Sequence, residues 1–156
     1  MLDAYTSALR ILRYRFNSET ELRRKLRAKK FEKDDIDAAI ARLHREKWLD
    51  DERFAGAFVR TRANKRVGRL RIRRELQAAG VSGDAAQQAI SENIDEEREG
   101  EALREVCARR LRTLLRRERT TEELHAKLTA YLVAQGYDSA LVRQVVRDAV
   151  RTAEKS

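Results

Sequence analysis

The chain has 156 residues, of which 39% are charged, 6% are aromatic and none is proline. This length excludes two ordinary enzyme domains, and the lack of alternating or β-branched apolar runs disfavours an α/β enzyme. With 35 basic and 26 acidic residues, the net charge is +9. Such a balance favours a polyanionic partner: nucleic acid, anionic lipid or an acidic protein.

Helices are predicted along the whole chain, because a sequence rich in Arg, Leu, Ala and Glu and free of proline contains few helix breakers. We therefore expect an all-α fold. No apolar run approaches the roughly 20 residues that span a bilayer, and the first residues do not resemble a signal peptide. A soluble, cytoplasmic, monomeric protein is expected. The predicted helices cover 2–15, 19–29, 33–46, 51–65, 69–79, 83–93, 95–118, 121–135 and 139–153.

One apolar pattern occurs three times. Two apolar residues four positions apart share a helix face, and three more follow five, ten and fourteen positions after the second. The copies are Leu22, Leu26, Phe31, Ile36 and Ile40; Ile72, Leu76, Val81, Ala86 and Ile90; Leu128, Leu132, Tyr137, Val142 and Val146. The pattern predicts three tandem three-helix repeats, helix-turn-helix-like, over 1–50, 51–94 and 95–156. Because each repeat has a thin core, we expect them to pack as an elongated, curved array.

Helix ends are also marked in the sequence. Gly80 and Gly136 follow the second helices of repeats two and three, where a left-handed residue closes a helix. Ser18 and Thr120 each precede a glutamate by three positions, which is the capping-box spacing. Further N-caps are expected at Asp34, Ser82 and Asp138.

Basic residues concentrate between Arg53 and Arg74, which contains nine of them and no acidic residue. The alternative is a merely solvated helix face, but such faces usually mix both signs of charge. Arginine pairs bidentately with phosphate or carboxylate, so the segment is typical of a polyanion-binding surface. A second cluster lies on the predicted helix 19–29. The candidate binding residues are Arg60, Arg62, Lys65, Arg66, Arg69, Arg71, Arg73, Arg74, Arg23, Arg24 and Arg27.

The sequence also contains a third, lesser basic cluster and two features with mainly structural interpretations. Arginines crowd the end of the predicted helix 95–118, at Arg109, Arg110, Arg112, Arg116, Arg117 and Arg119. Trp48 is expected to pack at the junction of repeats one and two, although an exposed Trp could stack on a base. The acidic run Asp50-Asp51-Glu52 fits an N-cap and first helical turn better than a metal cluster.

Catalytic and cofactor motifs are not found. His44 and His125 have no second ligand at metal-binding spacing, and Cys107 is the only cysteine. Cys107 lies among apolar helix positions and is interpreted as a small core residue. We therefore expect no enzyme activity, no metal and no cofactor.

Two stretches resemble the RecX family of recombination regulators. The first joins Leu49-Asp-Asp-Glu-Arg-Phe-Ala-Gly-Ala-Phe-Val-Arg-Thr-Arg62 to Gly68-Arg-Leu-Arg-Ile-Arg-Arg-Glu-Leu-Gln-Ala-Ala-Gly-Val81. The second is Ala8-Leu-Arg-Ile-Leu-Arg-Tyr-Arg-Phe-Asn-Ser-Glu-Thr-Glu-Leu-Arg-Arg-Lys-Leu26. The resemblance covers all three repeats and is most specific over 49–81. The long, highly charged seventh helix departs from the family pattern.

The resemblance implies three tandem three-helix repeats and a partner, the RecA recombinase in its filament on single-stranded DNA. It further implies inhibition of the ATPase, strand-exchange and co-protease activities of RecA, by insertion into the filament groove. The alternative from composition is a sequence-nonspecific DNA-binding protein that needs no protein partner. A membrane-surface protein is disfavoured, since few exposed large apolar residues oppose the basic faces.

Overall fold

The computed structural model describes residues 2–117 and 120–156, and within them the chain is helical throughout, with no strand. The predicted all-α class is confirmed. The helices are α1 (Ala4–Tyr14), α2 (Glu19–Ala28), α3 (Lys33–Arg45), α4 (Asp51–Asn64), α5 (Arg69–Ala78), α6 (Gly83–Asn93), α7 (Glu96–Leu115), α8 (Thr121–Ala134) and α9 (Ser139–Glu154). None of the described helices is long and apolar enough to cross a membrane.

Helix α7 is shorter than predicted. It has 20 residues and ends at Leu115, which corresponds to about 30 Å at 1.5 Å per residue. The predicted end at residue 118 lies outside the described residues, as does Arg119. No proline or glycine marks the end of this helix, so its length was overestimated.

The repeated apolar residues form the core. Fourteen of the fifteen are buried, and only Phe31 is half-buried. The three pairs at i, i+4 are fully enclosed: Leu22 with Leu26, Ile72 with Leu76, and Leu128 with Leu132 are each 0% exposed. The helical period of 3.6 residues places both members of each pair on the inner face, which is why the pattern could be read from the sequence.

The chain packs as two compact units, each with its own apolar core. One comprises the described part of Met1–Val59 together with Glu75–Glu92, and the other comprises Arg60–Arg74 and Asn93–Ser156. Helices α4 and α5 therefore contribute residues to both units. The repeat boundaries 1–50, 51–94 and 95–156 and the elongated, curved arrangement stay predictions.

Side chains at several helix N-termini accept bonds from backbone N–H groups that have no partner within the helix. The Oγ of Ser18 accepts from the Glu21 N–H at 3.1 Å, and that of Ser82 from the Ala85 N–H at 3.2 Å. Asp138 caps α9 in the same way, and Thr120 and Glu123 form a complete capping box. These caps confirm the predicted starts of four helices.

The prediction of an N-cap at Asp34 is wrong. Helix α3 begins at Lys33 after Glu32, whose side chain makes no capping bond, and Asp34 lies in the first turn. An aspartate is favourable at both places, because the first turn also carries the positive end of the helix dipole. Residue type alone did not separate the two positions.

Trp48 does not pack at the junction as predicted: it is 58% exposed, whereas its neighbour Leu49 is 3% exposed. The backbone N–H groups of both residues bond to the Leu43 carbonyl, and Lys47 before them is left-handed, with φ 61°. This tight turn directs Leu49 into the core of the first unit and leaves the indole outside.

The start of α2 is held by the residues around α4 and α5 in the first unit. The Ser18 hydroxyl donates to the Ala79 carbonyl, and the Asp51 carboxylate accepts from the Glu19 N–H at 2.8 Å. Gly80 is left-handed, with φ 90°, and a Cβ there would lie 2.0 Å from the Thr20 hydroxyl. The glycine therefore serves both the turn and the close approach of Thr20.

Candidate polyanion-binding surfaces

The basic segment 60–74 belongs entirely to the second unit, where the end of α8 positions it. The Gly68 N–H donates to the Gln135 carbonyl at 2.8 Å, and the Leu70 N–H donates to the Gly136 carbonyl at 3.0 Å. A Cβ at Gly68 would lie 2.4 Å from the Gly136 carbonyl carbon, so only glycine allows this approach. The first N–H groups of α5, which otherwise lack partners, are satisfied in this way.

Five of the eight candidate residues in this segment interact with other groups of the chain. Arg69 forms an ion pair with Glu99 at 2.7 Å, and that glutamate side chain is only 11% exposed. Arg66 pairs with Glu105 at 3.2 Å, and Arg60 donates to the Asn93 side chain at 2.9 Å. Arg62 and Arg71 also have partners. These arginines fix the segment in place, which the sequence did not show because their partners lie up to 39 positions away.

The other three candidates in the segment are free to bind a partner. Lys65, Arg73 and Arg74 are exposed, and within residues 2–117 and 120–156 their side chains form no hydrogen bond or ion pair. Arg73 and Arg74 lie together on α5, and Lys65 follows the end of α4. These three side chains, named here the α5 basic surface, present an uncompensated positive charge.

The candidates on α2 divide in the same way in the first unit. Arg23 donates to Glu19 at 2.9 Å and to Asp37 at 2.5 Å. Burial favours the neutral acid at Glu19, but hydrogen bonds from His44 and Arg23 hold the pKa of this carboxyl below its usual value. Arg24 and Arg27 are exposed, and their side chains form no hydrogen bond or ion pair in the described part of the chain. Arg23 is thus a structural residue, and Arg24 and Arg27 are available for binding.

One pair of free arginines, Arg24 and Arg74, occupies equivalent positions in the first two repeats. The offsets of the apolar pattern, 50 and 56 residues, align Arg24 with Arg74 and then with Ala130. They likewise align Arg23 with Arg73 and Thr129, and Arg27 with Gln77 and Val133. The outer face of the second helix is therefore basic in the first two repeats and uncharged in the third.

A cationic cleft, also in the second unit, joins residues that the sequence analysis had placed in separate clusters. It has a volume of about 220 Å³ and brings Lys65 and Arg66 together with Arg109 and Arg110 of α7. The guanidinium of Arg110 lies 4.6 Å from the ring centre of Tyr131, which also lines the cleft. Only the packing of α7 beside the end of α4 reveals this cluster, since 44 positions separate Lys65 from Arg109.

Among the described residues, no group of three or more His, Cys, Asp and Glu side chains is arranged to hold a metal ion. Asp50 accepts from the Glu52 and Arg53 N–H groups at 3.0 and 3.1 Å, which confirms the acidic run as a helix start. Cys107 is buried, as predicted, and burial raises the pKa of its thiol, which disfavours the reactive thiolate.

Comparison with known proteins identifies the family. Sequence models of the first, second and third three-helix domains of RecX match residues 4–43, 50–90 and 96–146, in chain order. The chain belongs to the RecX family. All candidates from Arg60 to Arg74 lie in the match to the second RecX domain, and Arg23, Arg24 and Arg27 lie in the match to the first.

Individual relatives agree with this assignment. The regulatory protein RecX of Cronobacter sakazakii is 34% identical over 152 residues, covering 90% of this chain and 88% of the relative. That of Clostridium acetobutylicum is 29% identical over 148 residues, covering 94% and 69%. The crystal structure of RecX from Lactobacillus salivarius superposes with a TM-score of 0.78 at 21% identity, covering 94% of each chain. The structural likeness supports the fold, and the sequence matches support the family of regulatory proteins.

Proposed function

We propose that this RecX-family chain binds the RecA recombinase in its filament on single-stranded DNA. There it inhibits the ATPase, strand-exchange and co-protease activities of RecA and so modulates recombination and DNA repair in the cytoplasm. The observation that carries the proposal is the α5 basic surface, whose three cations have no partner within the described chain. Exposed cations without partners fit groups of the opposite sign, either acidic side chains of the filament or DNA phosphates.

The test is a charge reversal restricted to residues that do not support the fold. The variant Lys65→Glu, Arg73→Glu, Arg74→Glu replaces three exposed, unpaired side chains and leaves the Arg69–Glu99 pair intact. We expect the concentration for half-inhibition of the RecA single-stranded-DNA ATPase to rise at least tenfold, since like charges across an interface repel. The purified protein is titrated well below one copy per RecA subunit, at physiological salt.

The matched control is Arg112→Glu, Arg151→Glu, Lys155→Glu, which makes the same change in net charge at other exposed positions. It should inhibit like the unmodified protein. Unchanged inhibition by the α5 variant, with helicity retained in circular dichroism, would reject the α5 basic surface as the contact. Absence of inhibition by the unmodified protein would reject the proposed function itself.

A second candidate function is direct, sequence-nonspecific DNA binding without a protein partner. The cationic cleft favours it, because its four cations face one carboxylate: Arg66 and Arg109 share Glu105, and Lys65 and Arg110 remain to neutralise phosphates beside the aromatic ring of Tyr131. Under this hypothesis a labelled oligo-dT binds the protein alone, and its affinity falls steeply with salt. Inhibition of RecA would then require enough protein to occupy the nucleotides, and Arg109→Glu, Arg110→Glu would abolish it.

A further inference from the structure

The third repeat carries an apolar groove where the first two repeats carry arginines. The groove lies between α8 and α9 in the second unit and has a volume of about 780 Å³. Along α8 it is lined by Glu122 and His125, and further along the helix by Ala126, Thr129, Ala130 and Val133, of which Val133 is 40% exposed. Three of these positions align with the basic positions 23, 24 and 27 of the first repeat. Uncharged side chains thus replace arginines at three neighbouring positions on the outer face of the second helix.

The apolar residues of α8 that line the groove are not the ones that pack in the core of the second unit. Leu124, Leu128 and Leu132 already fill the core and are at most 5% exposed. A helix that packs on one side needs an apolar stripe on that side only, and its outer face is usually polar, as it is in α2 and α5. Helix α8 is apolar on both sides, so its outer face is suited to contact another apolar surface.

Among the charged residues that line the groove, two arginines on α9 outnumber Glu122 on α8. Arg143 and Arg147 line the groove, are exposed, and are one helical turn apart on the same face. Neither forms a hydrogen bond or an ion pair within the ranges 2–117 and 120–156. An apolar strip with two unpaired cations along its edge is complementary to an apolar strip with acidic residues along its edge.

We propose that the α8–α9 groove is a docking site for an amphipathic helix of a protein partner, with acidic residues flanking its apolar stripe. The short side chains of Ala126 and Ala130 allow the partner helix to approach closely, within the usual range of about 8–10 Å between helix axes. Its carboxylates then face Arg143 and Arg147. Nucleic acid fits the strip formed by Ala126, Ala130 and Val133 less well, because these side chains offer neither a ring to stack on a base nor a hydrogen-bond donor for phosphate. The proposal does not depend on the identity of the partner of the α5 basic surface.

The experiment uses the full chain, labelled with ¹⁵N, and two synthetic helical peptides of about 18 residues, or five turns. Both peptides carry the same leucine stripe, flanked by glutamates in one and by lysines in the other. The glutamate peptide should shift the amide resonances of residues lining the groove and bind at least tenfold more tightly than the lysine peptide. Arg143→Glu, Arg147→Glu should reverse that preference.

A variant pair separates docking from general effects on the fold. Val133→Glu places a carboxylate in the groove and should weaken binding of the glutamate peptide at least tenfold, whereas Ala134→Glu adds the same side chain at an exposed position outside the lining. Equal binding of the two peptides, or no binding, would overturn the proposal. It would also be overturned if oligo-dT, or a second copy of the chain at rising concentration, shifted these amides in preference to the glutamate peptide.

Discussion

At the residue scale, a left-handed residue closes the second helix of each repeat. It is Lys30 in the first repeat and a glycine in the second and third. Gly80 and Gly136 have φ values of 90° and 100°, and Lys30 has φ 67°. A side chain in this region costs about 1–2 kcal/mol relative to the right-handed conformation, whereas glycine carries no such penalty. At Gly80 the close approach of Thr20 adds a second requirement that a side chain cannot meet.

We therefore predict opposite effects for two exchanges at these equivalent positions. Lys30→Gly should raise the free energy of unfolding by about 1 kcal/mol, and Gly80→Ala should lower it by at least about 1–2 kcal/mol. Urea denaturation followed by circular dichroism measures both. A lower midpoint for Lys30→Gly would show that the left-handed lysine is not strained.

A second residue-scale prediction concerns Tyr137, which is 1% exposed and donates its hydroxyl proton to the Arg66 carbonyl at 2.9 Å. Burial, with the carboxylates of Glu99 and Glu105, raises the pKa of Tyr137 to about 12, although Arg66 opposes this. Because the folded pKa lies above the unfolded value of 10.0, the stabilisation is complete below pH 10 and is lost as the pH rises to 12.

The free energy of unfolding should fall as the pH rises from 9 to 12, and ionisation of Tyr137 should account for about 2–3 kcal/mol of this loss. Tyr137→Phe removes the titrating group, so the variant should be less stable at pH 9 but show a shallower decline. An equally steep decline in the variant would assign the alkaline loss to other groups.

At the element scale, the approach of α5 to α8 depends on the backbone more than on side chains. Gly68 lies where a Cβ would be 2.4 Å from the Gly136 carbonyl carbon, whereas a Cβ at Gly100, inside α7, would lie 3.4 Å from the end of the flexible Arg104 side chain. The Cβ added by Gly68→Ala must therefore push the start of α5 away from the end of α8. Gly100→Ala only improves helix propensity.

We expect Gly68→Ala to lower the melting temperature and Gly100→Ala to raise the stability by about 0.5–1 kcal/mol, the usual difference between glycine and alanine inside a helix. Thermal unfolding of the two variants provides the comparison. If Gly68→Ala were as stable as the unmodified chain, the two hydrogen bonds from α5 to the end of α8 would not hold that junction.

At the scale of the whole molecule, a net charge of +9 on 156 residues makes the folded chain repel itself. Added salt screens this repulsion, with a Debye length of about 10 Å at 0.1 M. The melting temperature should therefore rise between 50 and 500 mM NaCl, and the Lys65→Glu, Arg73→Glu, Arg74→Glu variant should show a weaker dependence. A fall with salt would indicate that the ion pairs, such as Arg69–Glu99, outweigh the net repulsion.

The sequence by itself determined the elements and the inner faces. Most helix starts, the buried pairs such as Leu22 with Leu26, and the closing glycines follow from rules that act over one or two turns, whereas the end of α7 and the N-cap of α3 did not. It also determined that residues 53–74 are basic and unbalanced by nearby acids. These properties depend on neighbours within about five positions, and they needed no knowledge of the packing.

The tertiary structure decided which basic residues are free. Arg69 and Arg74 are indistinguishable in the sequence, yet one is paired with Glu99 and the other is exposed. Packing also joined Lys65 to Arg109 and placed Trp48 outside the core. An ion pair or a cleft depends on the distance between atoms that are far apart along the chain, and that distance is fixed only when the helices pack.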